Sequence, residues 1–192
     1  MIVWDLGGVL ARFRPDRRLT ALAEATGLPP GAVEERIWSS GLDAEAETGR
    51  LGDDEAWTRV LDALDGRIGR AELQRCWSLA FEPDALVLAL VDEVGGGALL
   101  TNNGPLVAGS LGRELHVIGR RLDPWLLSWR LGATKPDSAA FTLAAAALDH
   151  APSDLVLVDD QAANVAAARR SGWRAVHHTD VASTRAALDG GT

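Results

Sequence analysis

The sequence predicts an α/β protein: a parallel sheet sandwiched by helices, with a small α-helical unit inserted after the first strand. Three observations predict it. Short apolar runs at Ile2–Trp4, 98–100 and 155–158 suit strands buried on both faces. From Glu82 onward, strand patterns alternate with helix patterns, the signature of right-handed βαβ units. Residues 14–81, by contrast, are charged, carry helical spacing and lack a strand pattern.

Taken in order, Ile2, Val3 and Trp4 form the first strand, and Asp5 ends it before Gly7-Gly8 turns the chain. Four helices are expected next. The first spans 18–26 and is stopped by Gly27 and Pro29-Pro30, and the second spans 32–40 with Val33, Ile37 and Trp38 as its apolar stripe. The third is capped by Asp53 or Asp54, with Trp57, Val60, Leu61 and Leu64 at i, i+3, i+4 and i+7. The fourth spans 71–79 and carries Leu73, Cys76 and Trp77. Beyond them the spacing predicts a helix over 83–93, a strand over 98–100 ending in the polar run Thr101-Asn-Asn-Gly-Pro105, and a helix from Leu106 to about Leu115. A strand at 125–128 leads through a loop to Gly132-Ala-Thr-Lys-Pro136 and a helix over 137–148. The strand 155–158 ends in Asp159-Asp160; a helix over 162–171, a strand at Arg174–His177 and a helix over 180–188 close the chain.

Composition narrows the function. At 192 residues the chain is long enough for one core domain with an insertion, and roughly 70% of its unfolded surface can be buried. A net charge of −8 argues against a nucleic-acid or anionic membrane surface as partner. One cysteine, Cys76, excludes an intrachain disulfide and fits a reducing, cytoplasmic setting; it reads as a small buried hydrophobe. The apolar start, interrupted by Asp5 and glycines, is no signal peptide, and no stretch approaches the ~20 apolar residues of a membrane span.

The polar groups just past the strands are Asp5, Thr101 with Asn102 and Asn103, and Asp159 with Asp160; Lys135 joins them from a loop. All are expected at the sheet edge where open α/β folds bind ligands. Carboxylates with a loop carbonyl suit Mg²⁺, whereas a hydroxyl, loop N–H groups and a lysine suit phosphate oxygens. An aspartate close to both can attack phosphorus. His177-His178 is not read as a metal pair, because adjacent strand residues point to opposite faces. His116 and His150 read as surface residues, and Trp38, Trp57 and Trp77 as the packed interior of the helical unit, with one of them lining a substrate pocket as the alternative. Asp43, Glu45, Glu47 and Arg50 read as a solvated face, with contact to substrate hydroxyls as the alternative.

Asp5-Leu-Gly-Gly, Thr101-Asn-Asn, Lys135-Pro136 and Asp159-Asp160-Gln-Ala-Ala-Asn164 resemble the four ordered motifs of the haloacid dehalogenase superfamily, and the resemblance covers nearly the whole chain. The stretch from Glu47 to Trp57 resembles the helical cap of a branch of sugar phosphatases similar to glucose-1-phosphatase. The resemblance implies a Rossmann-like core at 1–13 and 82–192 with a helical cap at 14–81. It implies Asp5 as nucleophile, with Asp5, the Gly7 carbonyl and Asp160 binding Mg²⁺. Thr101 and Lys135, with Asn102, would hold the phosphoryl group, while Asp159 and Asn164 would orient metal-bound water or the Lys135 loop. The expected partner is a small phosphorylated metabolite, with a sugar phosphate favoured. Two alternatives stand beside it: a 2-haloacid dehalogenase, and a catalytically weak binder of a phosphorylated ligand. Most phosphatases of the superfamily place a second aspartate two residues after the nucleophile, as acid and base; here that position is Gly7.

Overall fold

The computed structural model describes residues 1–190; Gly191 and Thr192, the end of the expected core range, lie outside the described residues. Five short strands form one parallel sheet: β1 (Ile2–Trp4), β4 (Ala98–Thr101), β5 (Trp125–Leu127), β6 (Val156–Asp159) and β7 (Arg174–His177). Their order is β5-β4-β1-β6-β7. Val3 and Trp4 pair with Ala98 and Leu99 on one side and with Leu157 and Val158 on the other, so β1 is central. Side chains alternate across it. Trp4, Leu99, Leu127 and Val158 enter one apolar cluster, and Val3, Leu100, Leu126 and Leu157 enter the other.

Helices cover both faces. On the Val3 face lie α10 (Ser138–Leu148) and α11 (Ala162–Arg170), with Phe141 packed edge-on against Trp173 at 5.7 Å between centroids. The Trp4 face meets α6 (Ala85–Glu93) and α7 (Pro105–Leu111); α12 (Val181–Asp189) packs beside α6 and β7. Short helices α8 (His116–Gly119) and α9 (Ser128–Leu131) flank β5. The expected helix from Leu106 to about Leu115 is thus two pieces, since Pro105 serves as its first residue and a turn after Leu111 breaks it.

Between β1 and β4 the chain makes α1 (Pro15–Thr26), α2 (Pro30–Glu34), α3 (Leu42–Glu47), α4 (Asp53–Ala63) and α5 (Arg70–Ser78). Gly27 ends α1 in a left-handed conformation, with its N–H returned to Ala23. The expected helix over 32–40 differs: α2 passes at Glu35 into a π-helical turn, Glu35–Ser39. The helix α3 was not expected. Nor was a two-stranded antiparallel ribbon, in which β2 (Ala11–Phe13) pairs with β3 (Phe81–Pro83). Arg14 N–H donates to Ala80 at 2.7 Å and Asp84 N–H to Leu10 at 3.0 Å, so the ribbon clamps the two ends of the helical segment together. Apolar contact runs unbroken from Leu73, Cys76 and Trp77 of α5 into the cluster on the Trp4 face. Cys76 is fully buried. No helix among the described residues is long and apolar enough to cross a membrane.

Candidate active site

β1 leads to β4 on one side of the sheet and β6 leads to β7 on the other, so the crevice beyond their carboxyl ends is the topological switch point. Asp5 follows β1 there. Its backbone N–H donates to Val158 at 2.9 Å, continuing the ladder and pinning the carboxylate at the crevice. Asp159 is the last residue of β6 and Asp160 the next; Thr101 is the last of β4. Strand length alone delivers these groups to one edge.

Lys135 joins them. Its Nζ donates to Asp5 Oδ1 at 2.9 Å, Leu100 O at 2.9 Å and Asp159 Oδ2 at 2.6 Å, which uses all three hydrogens of the ammonium. Only 4% of Lys135 and none of Asp159 is exposed. A charge this deep is sustained only when paired. Burial works against the Lys135 ammonium, but Asp5 and Asp159 outweigh it and hold its pKa above the ordinary lysine value. Burial pushes the Asp5 carboxyl up, and the Lys135 charge pulls against it.

A further layer holds this pair. Asn164 Nδ2 donates to both Asp159 oxygens at 3.0 and 3.1 Å, and Gln161 N–H adds a bond to Oδ1 at 2.9 Å. Asn102 clasps the Lys135 backbone, donating from Nδ2 to Lys135 O at 2.7 Å and accepting from Lys135 N–H at 2.8 Å. Thr101 is buried, and its Oγ1 accepts from Asn103 Nδ2 at 2.7 Å. All eight residues expected at the site are therefore gathered here, Asp159 through its bonds and the other seven in the wall of one cavity of about 550 Å³.

Asp5, Asp159 and Asp160 each offer a carboxylate oxygen, and these atoms lie within 4.8 Å of one another. Asp160 Oδ1 is buried without a hydrogen-bond partner, while Oδ2 accepts from Gln161 Nε2 at 2.7 Å. A buried carboxylate oxygen without a donor calls for a cation, and hard oxygen donors suit Mg²⁺. Gly8 makes the close approach possible: at φ +85° it has no Cβ, and one built there would lie 2.3 Å from Asp160 Oδ2. Gly7 is different. Its φ is not in the left-handed region, and an added Cβ would meet Phe13 carbons at 3.7–3.8 Å, an ordinary contact.

The opposite wall comes from the helical segment and corrects the sequence reading. Asp43 and Glu47, expected on a solvated face, are half-buried and line the cavity, as does Trp38, expected in the interior of the helical unit. Trp57 and Trp77 are buried as expected. Glu45 pairs with Arg59 at the surface and Arg50 is exposed, so only those two keep the expected setting. Arg18 was missed. It is 5% exposed, and its guanidinium carbon lies 4.5 Å from the Trp77 ring centroid and 4.7 Å from that of Trp38. The signal was a cation on the stripe Arg18, Leu22, Ala23 and Thr26, the buried residues of α1. Burial, reinforced by Asp43 and opposed by Arg18, pushes the Glu47 carboxyl up to about 8. Burial raises Asp43 too, with Arg18 and a 2.9 Å bond from Trp38 Nε1 pulling it down. His116 and His150 are exposed. His177 and His178 bond separately, to Asp160 O and Thr184 Oγ1, each at 2.8 Å.

The fold and the site together define a hydrolase with an α/β core, its acid cluster standing beyond the carboxyl end of the central strand. Comparison with known proteins agrees. The chain is 33% identical over 186 residues to Phosphatase MT3486 of Mycobacterium tuberculosis (strain CDC 1551 / Oshkosh), covering 91% of this chain and 84% of that protein. It is 25% identical to D-ribitol-5-phosphate phosphatase of Bacteroides thetaiotaomicron, over 90% of this chain and 88% of that one. A HAD-like family hydrolase from Porphyromonas gingivalis has the same fold, at TM-score 0.77, 22% identity, and 97% and 96% coverage. So has the HAD family enzyme BT-2542 of Bacteroides thetaiotaomicron, solved with magnesium and inorganic phosphate, at TM-score 0.74, 16% identity and 91% coverage of each chain. No family model matches the chain. The chain belongs to the haloacid dehalogenase superfamily.

Proposed function

We propose that this protein is a Mg²⁺-dependent phosphatase of a small phosphorylated metabolite, with a sugar phosphate as the favoured substrate, working through an aspartyl-phosphate on Asp5. The observation that carries the reading is the buried Asp5–Lys135–Asp159 cluster beside the unpartnered Asp160 oxygen, open to one cavity. The names of the phosphatase relatives support it. In this reading residues 14–81 act as a cap over a core of 1–13 and 82–192.

Asp5, the Gly7 carbonyl and Asp160 would hold Mg²⁺, which when bound neutralises charge on the phosphoryl oxygens. The Asp5 carboxylate attacks phosphorus, the P–O bond to the leaving alcohol breaks, and the alcohol takes its proton from water because Gly7 carries no acid. Water then hydrolyses the aspartyl-phosphate, releasing phosphate and restoring Asp5. Thr101 Oγ has its proton free for a phosphoryl oxygen, since its bond from Asn103 uses a lone pair. Lys135, with its hydrogens spent on protein oxygens, aims Asp5 and supplies positive charge beside the phosphoryl group. Asp159 and Asn164 hold Lys135, and Asn102 holds its loop.

The test is a phosphatase screen over sugar phosphates and acetyl phosphate, with Mg²⁺ and with chelator, on the wild type and Asp5→Asn. Turnover that requires both Mg²⁺ and Asp5 is expected. Full turnover by a folded Asp5→Asn protein overturns the nucleophile. Chloride release from a 2-chloro acid in chelator establishes the dehalogenase instead, and stabilisation by sugar phosphates without turnover establishes the weak binder.

A further inference from the structure

We infer that Arg18, Asp43 and Glu47 form a hydroxyl-reading subsite, which selects monophosphates whose distal end is a neutral polyhydroxylated carbon skeleton and rejects a second charged group of either sign. The inference rests on the phosphatase reading for the phosphoryl end only.

Arg18 carries the argument. Its guanidinium lies against Trp38 and Trp77, is nearly excluded from water and lines the cavity. Among the described residues it makes no hydrogen bond or ion pair, and its Nε is buried without a partner. The guanidinium is thus held by ring contacts alone, and a buried donor such as its Nε–H is costly without an acceptor. The cavity side is where a ligand oxygen can supply that acceptor. Asp43 and Glu47 stand in the same wall and present acceptors of their own; both act electrostatically on Arg18.

Three kinds of distal group can be compared. A carboxylate or second phosphate would satisfy Arg18 but meet Asp43. An ammonium would suit the acids but meet Arg18. A hydroxyl accepts from the guanidinium and donates to a carboxylate at once, so it alone satisfies both partners. The cavity, about 550 Å³, is within the range of small-ligand sites, with the acid cluster of Asp5 and Asp160 at one wall and Arg18 with Asp43 at the other. One molecule can therefore reach both, phosphate on the sheet edge and hydroxyls under the helices.

The experiment uses three matched ligands that differ only at C6, distal to the phosphate: glucose 1-phosphate, glucuronic acid 1-phosphate and 6-amino-6-deoxyglucose 1-phosphate. Each is titrated calorimetrically, with Mg²⁺, into the full-length Asp5→Asn protein, where binding is read without turnover. Glucose 1-phosphate is expected to bind at least tenfold more tightly than either charged analogue. Adding Asp43→Asn should bring the glucuronic acid compound to within about threefold, and adding Arg18→Gln, which removes the positive charge, should do the same for the 6-amino compound. Equal or tighter binding of either charged analogue by the parent protein overturns the inference, whether or not the double variants fold. So does an unchanged ranking in folded double variants. The phosphatase reading is judged separately, by wild-type turnover of acetyl phosphate, which has no distal group.

Discussion

Glu47 gives the residue scale its clearest pH signature. Its carboxyl is pushed up to about 8 by burial and then by Asp43, against the pull of Arg18, while in the unfolded chain it titrates near 4.5. The raised acid keeps a proton that the unfolded chain has lost, so its contribution to stability is fully present below pH 4.5 and declines as pH rises to about 8. Glu47→Gln removes the titration and keeps the shape. Denaturant unfolding of both proteins from pH 5 to 9 is expected to show the wild type losing stability relative to the variant up to about pH 8 and then running parallel. Parallel curves throughout would show that Glu47 titrates normally.

Gly7 gives the second residue-scale prediction. A general acid contributes ~10²–10⁴-fold in rate, most for a basic leaving alcohol. Without one, sugar 1-phosphates and acyl phosphates, whose leaving groups are more acidic, should outpace a primary alkyl phosphate such as a sugar 6-phosphate. An added side chain at Gly7 meets Phe13 at ordinary distance and needs no left-handed backbone, so Gly7→Asp is expected to fold. It should then raise kcat/KM for the 6-phosphate relative to the 1-phosphate of the same sugar. A wild-type preference for the 6-phosphate, with no relative gain in the variant, would contradict the leaving-group argument.

Among elements, the contact between α3 and the sheet edge turns on Ser128, the first residue of α9. Its buried Oγ donates to Glu47 O at 2.6 Å and accepts from Asn103 N–H at 3.1 Å, so one hydroxyl ties the helical segment to the loop after β4. Ser128→Ala leaves a buried N–H and a C=O without their partner, and an unsatisfied buried group costs about 1–3 kcal/mol. We expect a loss of about 2 kcal/mol by urea unfolding, together with a raised KM, because Glu47 and Thr101 are both near this tie. A variant as stable as the wild type would show that water replaces the hydroxyl. Such ties are invisible in sequence. The β2–β3 ribbon escaped detection for the same reason: Ala-Arg-Phe and Phe-Glu-Pro have no period to read, and their pairing joins segments on either side of five helices.

For the molecule as a whole, a cation at the acid cluster should act on stability as well as on rate. Linkage gives about 2.7 kcal/mol at a concentration a hundredfold above Kd, and in a chain of this size each kcal/mol moves Tm by about 2–4 °C. A rise of roughly 5–11 °C on saturating Mg²⁺ is therefore expected in the wild type. Asp160→Asn, which removes the charge beside the unpartnered oxygen, should show a much smaller rise. An equal Tm in Mg²⁺ and in chelator would remove the metal site.

The sequence by itself determined the sheet, its flanking helices and one wall of the cavity. Asp5, Thr101, Asp159 and Asp160 were legible because each stands where a fully apolar strand stops, and in a parallel sheet that position alone puts a side chain at the ligand-binding edge. Lys135 was legible through its motif, and Asn164 with it. Tertiary structure alone decided the other wall. The rotation and seating of α1 and α3 turn Arg18, Asp43 and Glu47 inward, and those depend on packing between helices remote in sequence. A helical period marks which residues share a face; only the assembled core determines what that face meets.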